Sequence, residues 1–458
     1  MTTVERLPRA LRPFGSSQYR LLTAALAASL LSAGAWIVSA VWQVVELGGT
    51  PIDLSLVAVG SSLGLVLAVL FGGVAADRIP QRRILLTVEI VRGVGFSVAA
   101  FLAITGIIEV WHIALISFAL GLADGFFYPA YSAWLPAILP EGQLLAANGI
   151  EGVLRPSVMN AAGPAVASAL IAMQGPWLAF AVVAGLQVVA AAVLAAMRTT
   201  PVRRELDGPP VHPVRQTFID LRDGFAYLLR TRWLFATLVF SILLVFMIMG
   251  PIEVLLPFAV KDQTGGGAGA FALALAAFGV GGAVGSLAVA SMRLPRRYLT
   301  LMILAWGFGG LPLAIIGFTS WLWVMVVALF ICGLLFSGAS VVGGTLLQRR
   351  VPPAMLGRVS SLDFFVSLAL MPISMAVAGP VGESIGIAPA FLIAGLAAPL
   401  LAIVTLAFAR LGRDELAHPL DAMIDAEPVT GAGTAAGFET PVDEPHDSDE
   451  TQTDLKNR

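Results

Sequence analysis

From Tyr19 onward the chain alternates long apolar runs with short polar breaks, and within the runs apolar side chains recur on every face of a helix rather than on one stripe. A helix that is apolar all round must be buried, and about 20 such residues match the thickness of a bilayer's hydrocarbon core. Runs near 20–45, 54–75, 84–106, 111–133, 149–172, 176–197, 233–258, 269–291, 298–318, 322–346, 361–382 and 388–410 predict twelve transmembrane helices. An outer-membrane barrel is excluded, because its strands would alternate apolar and polar at every second residue. The first run follows Arg6, Arg9, Arg12 and Arg20, as a signal peptide's would, but Leu21–Val45 is too long for that role and is kept as span one.

Composition agrees with this pattern. Of 458 residues, 58% are hydrophobic and 12% charged, and the mean hydropathy of +0.88 excludes a water-soluble fold. The 47 glycines imply helices packed through small residues, since lipid gives helices no hydrophobic reason to associate. The net charge of -2 hides an uneven distribution: from Asp414 to Arg458 there are twelve acidic residues and two basic ones. That segment, 411–458, has too few large apolar residues to offset its ordering entropy and reads as a disordered acidic tail. Cys332 is the only cysteine and lies inside a span, so a disulfide framework is excluded.

Cations place the spans in the membrane. Arg78, Arg82 and Arg83 follow span two, Arg198 to Arg232 span six, Arg293 to Arg297 span eight, and Arg349 to Arg358 span ten, all even-numbered connections. Odd connections carry Glu46, Asp53, Glu109, Glu383 and one cation, Lys261. The positive-inside rule then puts the even loops and both termini in the cytoplasm of a cell membrane. The chain divides into a cytoplasmic N-terminus (1–19), a six-helix bundle (20–197), a cytoplasmic linker (198–232), a second six-helix bundle (233–410) and the tail. Before span seven, FIDLRDGFAYLLRTRWLF has the spacing of an amphipathic helix lying on the membrane surface.

The bundles repeat one another. GGVAADRIPQRRILL after span two corresponds to GSLAVASMRLPRRYLTL after span eight, and WLPAILPEGQLLAANG after span four to LQRRVPPAMLGRVSS after span ten. Repetition at an offset of six spans marks a duplicated transporter scaffold with a central site between its halves.

Gly73, Asp77, Arg78, Arg82 and Arg83 resemble the signature loop between spans two and three of the major facilitator superfamily. PAYSAWLPAILP with Asn148, GPA at Gly163 to Ala165, and LGRV at Gly357 and Arg358 resemble its twelve-span drug:proton antiporters, which include macrolide, tetracycline and siderophore exporters. The likeness covers roughly residues 17 to 412. DGFF from Asp124 is similar to the siderophore-exporter branch, and Glu253 in IEVLLPF to the drug-efflux branch. Ala35 stands where many relatives carry an acid in span one, and Pro80 and Gln81 replace the usual loop residues. The resemblance implies an all-α fold of two pseudo-symmetric six-helix bundles. It also implies a charge relay in which Asp77 faces the N-terminal end of span eleven, Arg78 or its neighbours bridge to Asp124, and the network latches the outward-open state.

Ionisable residues inside spans are costly and are functional candidates by default. Glu89 and Arg92 share a face of span three at i, i+3 and read as an internal ion pair or a proton site. Asp124 has no cation within a turn on its own helix, so another span must satisfy it. Glu253 lies between Pro251 and Pro257, which loosen the helix, and reads either as the leading site for a proton or cation or as an interfacial carboxylate reaching outside water. Glu151 and Arg155 form an i, i+4 pair at the membrane edge. Asp363, near a helix N-terminus, reads as a capping carboxylate. Trp36, Trp42, Gln43, Phe126, Phe127 and Phe336 could line an apolar central cavity or simply pack in the core.

No GxxxxGK[ST] motif accompanies the glycine-rich patches, and His112, His212, His418 and His446 are scattered, so neither nucleotide hydrolysis, metal binding nor an enzyme is expected. No cofactor and no nucleic-acid partner are expected either. The reading is a monomeric, proton-coupled exporter of an apolar or amphipathic small molecule. A dedicated siderophore or metabolite exporter, and a non-transporting membrane sensor of the same fold, remain as alternatives.

Overall fold

The structure is a computed structural model, and it describes residues 9–199, 222, 225–292, 294–352, 359, 362–363 and 365–419. Among the described residues twelve helices are long and apolar enough to cross a membrane: Ser17–Glu46, Pro51–Val69, Gln81–Ile104, Val110–Ile138, Gly149–Gln174, Pro176–Ala196, Arg232–Thr264, Ala268–Ser291, Tyr298–Ile316, Leu322–Arg350, Phe365–Ile385 and Ile387–Ala409. Among the described residues there is no strand. The chain is therefore a multi-pass membrane protein, built as two six-helix bundles.

Local chemistry sets the helix ends. The Tyr19 N–H donates to Ser16 Oγ at 3.3 Å, and the Thr50 N–H donates to Asp53 at 2.8 Å, capping spans one and two. Spans five and six, and eleven and twelve, are joined by single glycines, Gly175 at φ +84° and Gly386 at φ +92°. Only glycine turns so tightly in this region at little cost. Pro156 and Pro251 coincide with two π-helical stretches, Arg155–Ala162 in span five and Pro251–Leu255 in span seven. A proline lacks the N–H that an α-helix would use, and the wider turn absorbs the gap.

The duplication is visible in the packing. Span two lies against span four as span eight lies against span ten, and span three against span six as nine against twelve. Backbones touch at glycines in both pairs: a methyl on Gly121 would sit 2.0 Å from the Ser61 carbonyl oxygen, and one on Gly333 2.0 Å from that of Phe278. The bundles meet through span two on span eleven and span five on span eight, again a symmetry-related pair. At the odd-loop end, the Gly379 N–H donates to Ser55 Oγ at 2.9 Å and the Ile52 N–H to Glu383 at 3.2 Å. Span five crosses span eight lower down, at Asn160 and Gly279.

The start of the expected disordered tail is folded. Leu411–Ala417 is a helix, and Glu415 is buried. Its carboxylate accepts from the Thr300 N–H at 3.0 Å and the Thr300 hydroxyl at 2.6 Å, while Asp414 accepts from Arg350 at 2.6 Å. These acids are satisfied by an orphan donor in the first turn of span nine and by a cation of span ten, which outweighs the solvation expected of an acidic tail. The compact membrane unit accordingly extends to Ala417. Residues 420–458 and most of the linker lie outside the described residues; of the expected surface helix, 225–230 is helical.

Candidate functional site

Midway along span three, Arg92 gathers polar groups from three helices. Its Nε donates to Asp124 Oδ1 of span four at 3.0 Å, with a second, shorter bond from Nη2 to the same oxygen. Its Nη1 donates to Ser29 Oγ of span one at 2.5 Å and lies 3.7 Å from Glu89 Oε1, one turn back on its own helix. The guanidinium stands 4.8 Å from the centre of the Phe127 ring. One cation thus faces two carboxylates. Glu89's side chain is 1% exposed and Asp124's 43%, so one acid is enclosed and the other accessible. Among the described residues Glu89 Oε2 has no hydrogen-bond partner, and neither do the amide atoms of buried Gln187 on span six, which lines a lateral groove together with Glu89.

The bridge to Asp124 comes from span three. Asp124 is held by Arg92, which the sequence had assigned to Glu89 alone, and not by Arg78, which is exposed at the end of span two. Arg82 is also committed elsewhere: its Nε donates to the Leu194 carbonyl at 3.0 Å and its Nη2 to that of Ala195. It thereby caps the C-terminus of span six and ties it to span three. Arg83 is exposed. Gly73 and Asp77 lie on the last turns of the span two helix, and their side chains, like residues Gly357 and Arg358, fall outside what is described.

Two cavities open in the half of the protein nearer the even loops. In the N-terminal bundle, a cavity of about 480 Å³ is lined by Tyr128, Tyr131, Ser132, Glu151 and Arg155. Arg155 is paired with Glu151 at 2.9 Å and stands 5.5 Å from the Tyr128 ring centre. In the C-terminal bundle, a cavity of about 630 Å³ is lined by Trp233, Phe278, Trp306, Phe336 and Asp363 among others. It reaches from the first turn of span seven to the middle of span ten.

Glu253 belongs to neither cavity. It is half-buried in the π-helical stretch of span seven, which packs on span eleven and, across the bundle boundary, on span two. Among the described residues it has no hydrogen bond or ion pair. It therefore sits in the seam that joins the bundles near the odd loops.

Of the aromatic candidates, Phe336 lines the C-terminal cavity. Trp36 does not line either one: its ring packs 5.1 Å from Phe96 and 5.2 Å from Phe180, in the core between spans one, three and six. Phe127 is buried under Arg92 and stacks on Tyr131 at 6.3 Å, and Phe126 lines a lateral groove with Ile79 and Val91. Trp42 borders Gly267 at the start of span eight, and Gln43 is buried beside it on span one. Sequence reasoning missed Ser29, Gln187 and Trp306, and it set Asp363 aside. An indole in the run AWGFGG of a span was the one available signal for Trp306.

The family model described as transmembrane secretion effector matches residues 9–427. Macrolide efflux protein A of Streptococcus pyogenes is 27% identical over 393 residues, covering 84% of this chain and 95% of that protein. The multidrug efflux pump Tap of Mycolicibacterium fortuitum is 24% identical over 391 residues, covering 84% and 94%. Among solved structures, the nucleoside transporter NupG superposes with a TM-score of 0.67 at 13% identity, covering 84% of this chain and 98% of that one. A bacterial homologue of the human lysosomal transporter Spinster gives 0.62 at 15% identity, covering 87% and 98%. At these identities the structural likeness establishes the fold alone.

Proposed function

Because the chain belongs to the transmembrane secretion effector family of the major facilitator superfamily, and is a transporter rather than an enzyme, we propose that it exports an apolar or amphipathic small molecule in exchange for protons. The two bundles rock about their shared seam, exposing the central site to each side in turn. Relatives named as macrolide and multidrug efflux pumps support the direction and the drug-like substrate. The positive-inside rule places the even loops and both termini in the cytoplasm. Both cavities then lie toward the cytoplasm while the opposite ends are joined, as befits an inward-facing state awaiting substrate. A single chain carries both bundles, which supports a monomer as the working unit.

The observation that carries proton coupling is the charge count around Arg92: two acids, Glu89 and Asp124, share one guanidinium in the middle of the membrane. An unbalanced charge there is expensive, and one bound proton makes the group neutral. Asp124 is the accessible acid through which the proton enters, and Glu89, with an oxygen left unpartnered, is where it rests. Glu253, in the seam between bundles, is a second acid whose charge state changes the energy of opening that seam. Asp77 and Arg78, at the cytoplasmic end of span two, are read as the latch on the other side.

The energy suffices. At about 2.3 kcal/mol per charge per 100 mV, a proton-motive force of roughly 150 to 200 mV supplies about 3.5 to 4.6 kcal/mol. That sustains a gradient of several hundred to about two thousand for a neutral solute, at about 1.4 kcal/mol per factor of ten.

Inverted membrane vesicles with an acidic interior test this with radiolabelled erythromycin. Wild type should accumulate the drug until a protonophore is added. Glu89→Gln should abolish the accumulation while preserving exchange of external for internal drug. Accumulation unchanged in Glu89→Gln would remove the Arg92 cluster from coupling, and a wild type with neither accumulation nor exchange would contradict macrolide export.

A further inference from the structure

Beneath the aromatic cluster of the N-terminal bundle, three helices assemble a polar layer. The Trp36 ring of span one meets Phe96 of span three at 5.1 Å and Phe180 of span six at 5.2 Å. Seven positions along each helix, toward the even loops in every case, stand Ser29, Glu89 and Gln187. Seven residues are close to two full turns, so each keeps the inward bearing of its aromatic and lies about 10 Å further along the axis. The three therefore share one level. Arg92, one turn from Glu89, reaches Ser29 Oγ at 2.5 Å, as this register requires.

Gln187 is 0% exposed, and among the described residues neither atom of its amide has a hydrogen-bond partner; Glu89 Oε2 is left over in the same way. Spans three and six are close at this level. A methyl on Gly93 would lie 3.4 Å from Gln187 Cβ, and Glu89 is one turn, about 6 Å, along that face. Both side chains line the groove between the two spans, whose rim carries the exposed Ile90, Val94 and Val188. Hydrocarbon offers such a groove no hydrogen bond, and a buried amide left unpaired is costly. Few charges compete for either side chain. Pro176–Ala196 has no titratable side chain, and span one has none between Arg20 and Glu46. The charged groups that face Glu89 are Arg92 on its own helix and, beyond it, Asp124 on span four.

We propose that Gln187 is the positioning residue for the proton on Glu89, its amide donating through Nε2 to the bare carboxylate and accepting through Oε1 from the O–H of the protonated acid. An amide carries one group of each kind. The proton passes between Asp124 and Glu89, and Gln187 keeps its own protons: it turns its amide over, so that Oε2 has a partner in either state. An apolar side chain would leave Oε2 unpaired in both states, and a charged one would hold the acid in one of them. The inference rests on the reading that Glu89 is where the proton rests, and it adds a member from span six to a cluster otherwise drawn from spans one, three and four.

Gln187→Met tests this on the full-length protein in lipid nanodiscs and in inverted vesicles, since Met is similar in length and volume and lacks both polar groups. The carbonyl stretch of protonated Glu89, identified as the infrared band that Glu89→Gln removes, should move to higher frequency in Gln187→Met, because the acid has lost its partner. The initial rate of pH-driven erythromycin accumulation should fall by about fivefold or more, the scale of leaving one buried polar atom unpaired, while exchange of external for internal drug continues. The midpoint of thermal unfolding should stay at the wild-type value or rise. A band at the wild-type frequency, or an unchanged rate of accumulation, would overturn the role. So would a lowered midpoint with accumulation and exchange lost together, which marks a residue that only packs. If Glu89→Gln removes no band, the proton rests elsewhere, and the fault lies with the reading on which the inference depends.

Discussion

The two bundles share a backbone design and differ in how they treat charge. In the N-terminal bundle the membrane-embedded charges are shared or paired: Arg92 serves Glu89 and Asp124, and Arg155 serves Glu151. In the C-terminal bundle, Arg350 turns to Asp414 beyond the end of span twelve, and Glu253 and Asp363 have no partner among the described residues. Duplication has conserved what the backbone requires, the glycine contacts of spans two with four and eight with ten, because a methyl group at Gly121 or Gly333 would collide with a carbonyl. Side chains that face cavities were under no such constraint. In the proposed mechanism the proton is held in the N-terminal bundle, and the seam that contains Glu253 links it to the C-terminal one.

The largest expected effect separates the bundles by stability. Arg92→Met leaves two acids without their cation and should destabilise the protein by about 3 to 5 kcal/mol, read as a lower midpoint of thermal unfolding in detergent. The triple change Arg92→Met, Glu89→Gln, Asp124→Asn should recover most of the loss, since no buried charge is then left over. A triple variant as unstable as the single one would show that Arg92 acts through shape rather than charge. A smaller effect is expected at the foot of the C-terminal bundle. Glu415→Ala frees the Thr300 N–H and should cost about 1 to 2 kcal/mol, as loss of a helix cap does; an unchanged midpoint would mean that Leu411–Ala417 docks without it. Smallest of all, Arg155→Ala removes a partly exposed pair and should change stability by about 0 to 1 kcal/mol. A loss approaching that of Arg92→Met would erase the distinction between the enclosed cluster and the pair at the cavity wall.

The sequence makes the twelve spans legible because each must be apolar on all faces for some twenty residues, a signal that packing hardly modifies. The duplication is legible through its loops. Spacing also brings Glu89 and Arg92 together, since i, i+3 neighbours meet on any helix. It says nothing about which helix comes next to that face, so Asp124's partner could be named only as some residue of another span. Trp36 shows the same limit: an aromatic in span one packs in the core or faces the cavity depending on whether Phe96 and Phe180 arrive beside it. Asp363 reads as a helix cap because the sequence does not reveal that Trp306 and Phe336, more than twenty positions away, enclose a space in front of it. Leu411–Ala417 is too short to form a helix by itself, and its order derives from Thr300 and Arg350, contacts that composition cannot register.

The division of labour between the bundles stands on one proton held beside Arg92. Infrared spectroscopy of the protein in detergent at neutral pH measures it through the carbonyl stretch of a protonated carboxylic acid. The account predicts such a band in the wild type, its loss in Glu89→Gln and its persistence in Asp363→Asn. A Glu89→Gln spectrum identical to that of the wild type would contradict it.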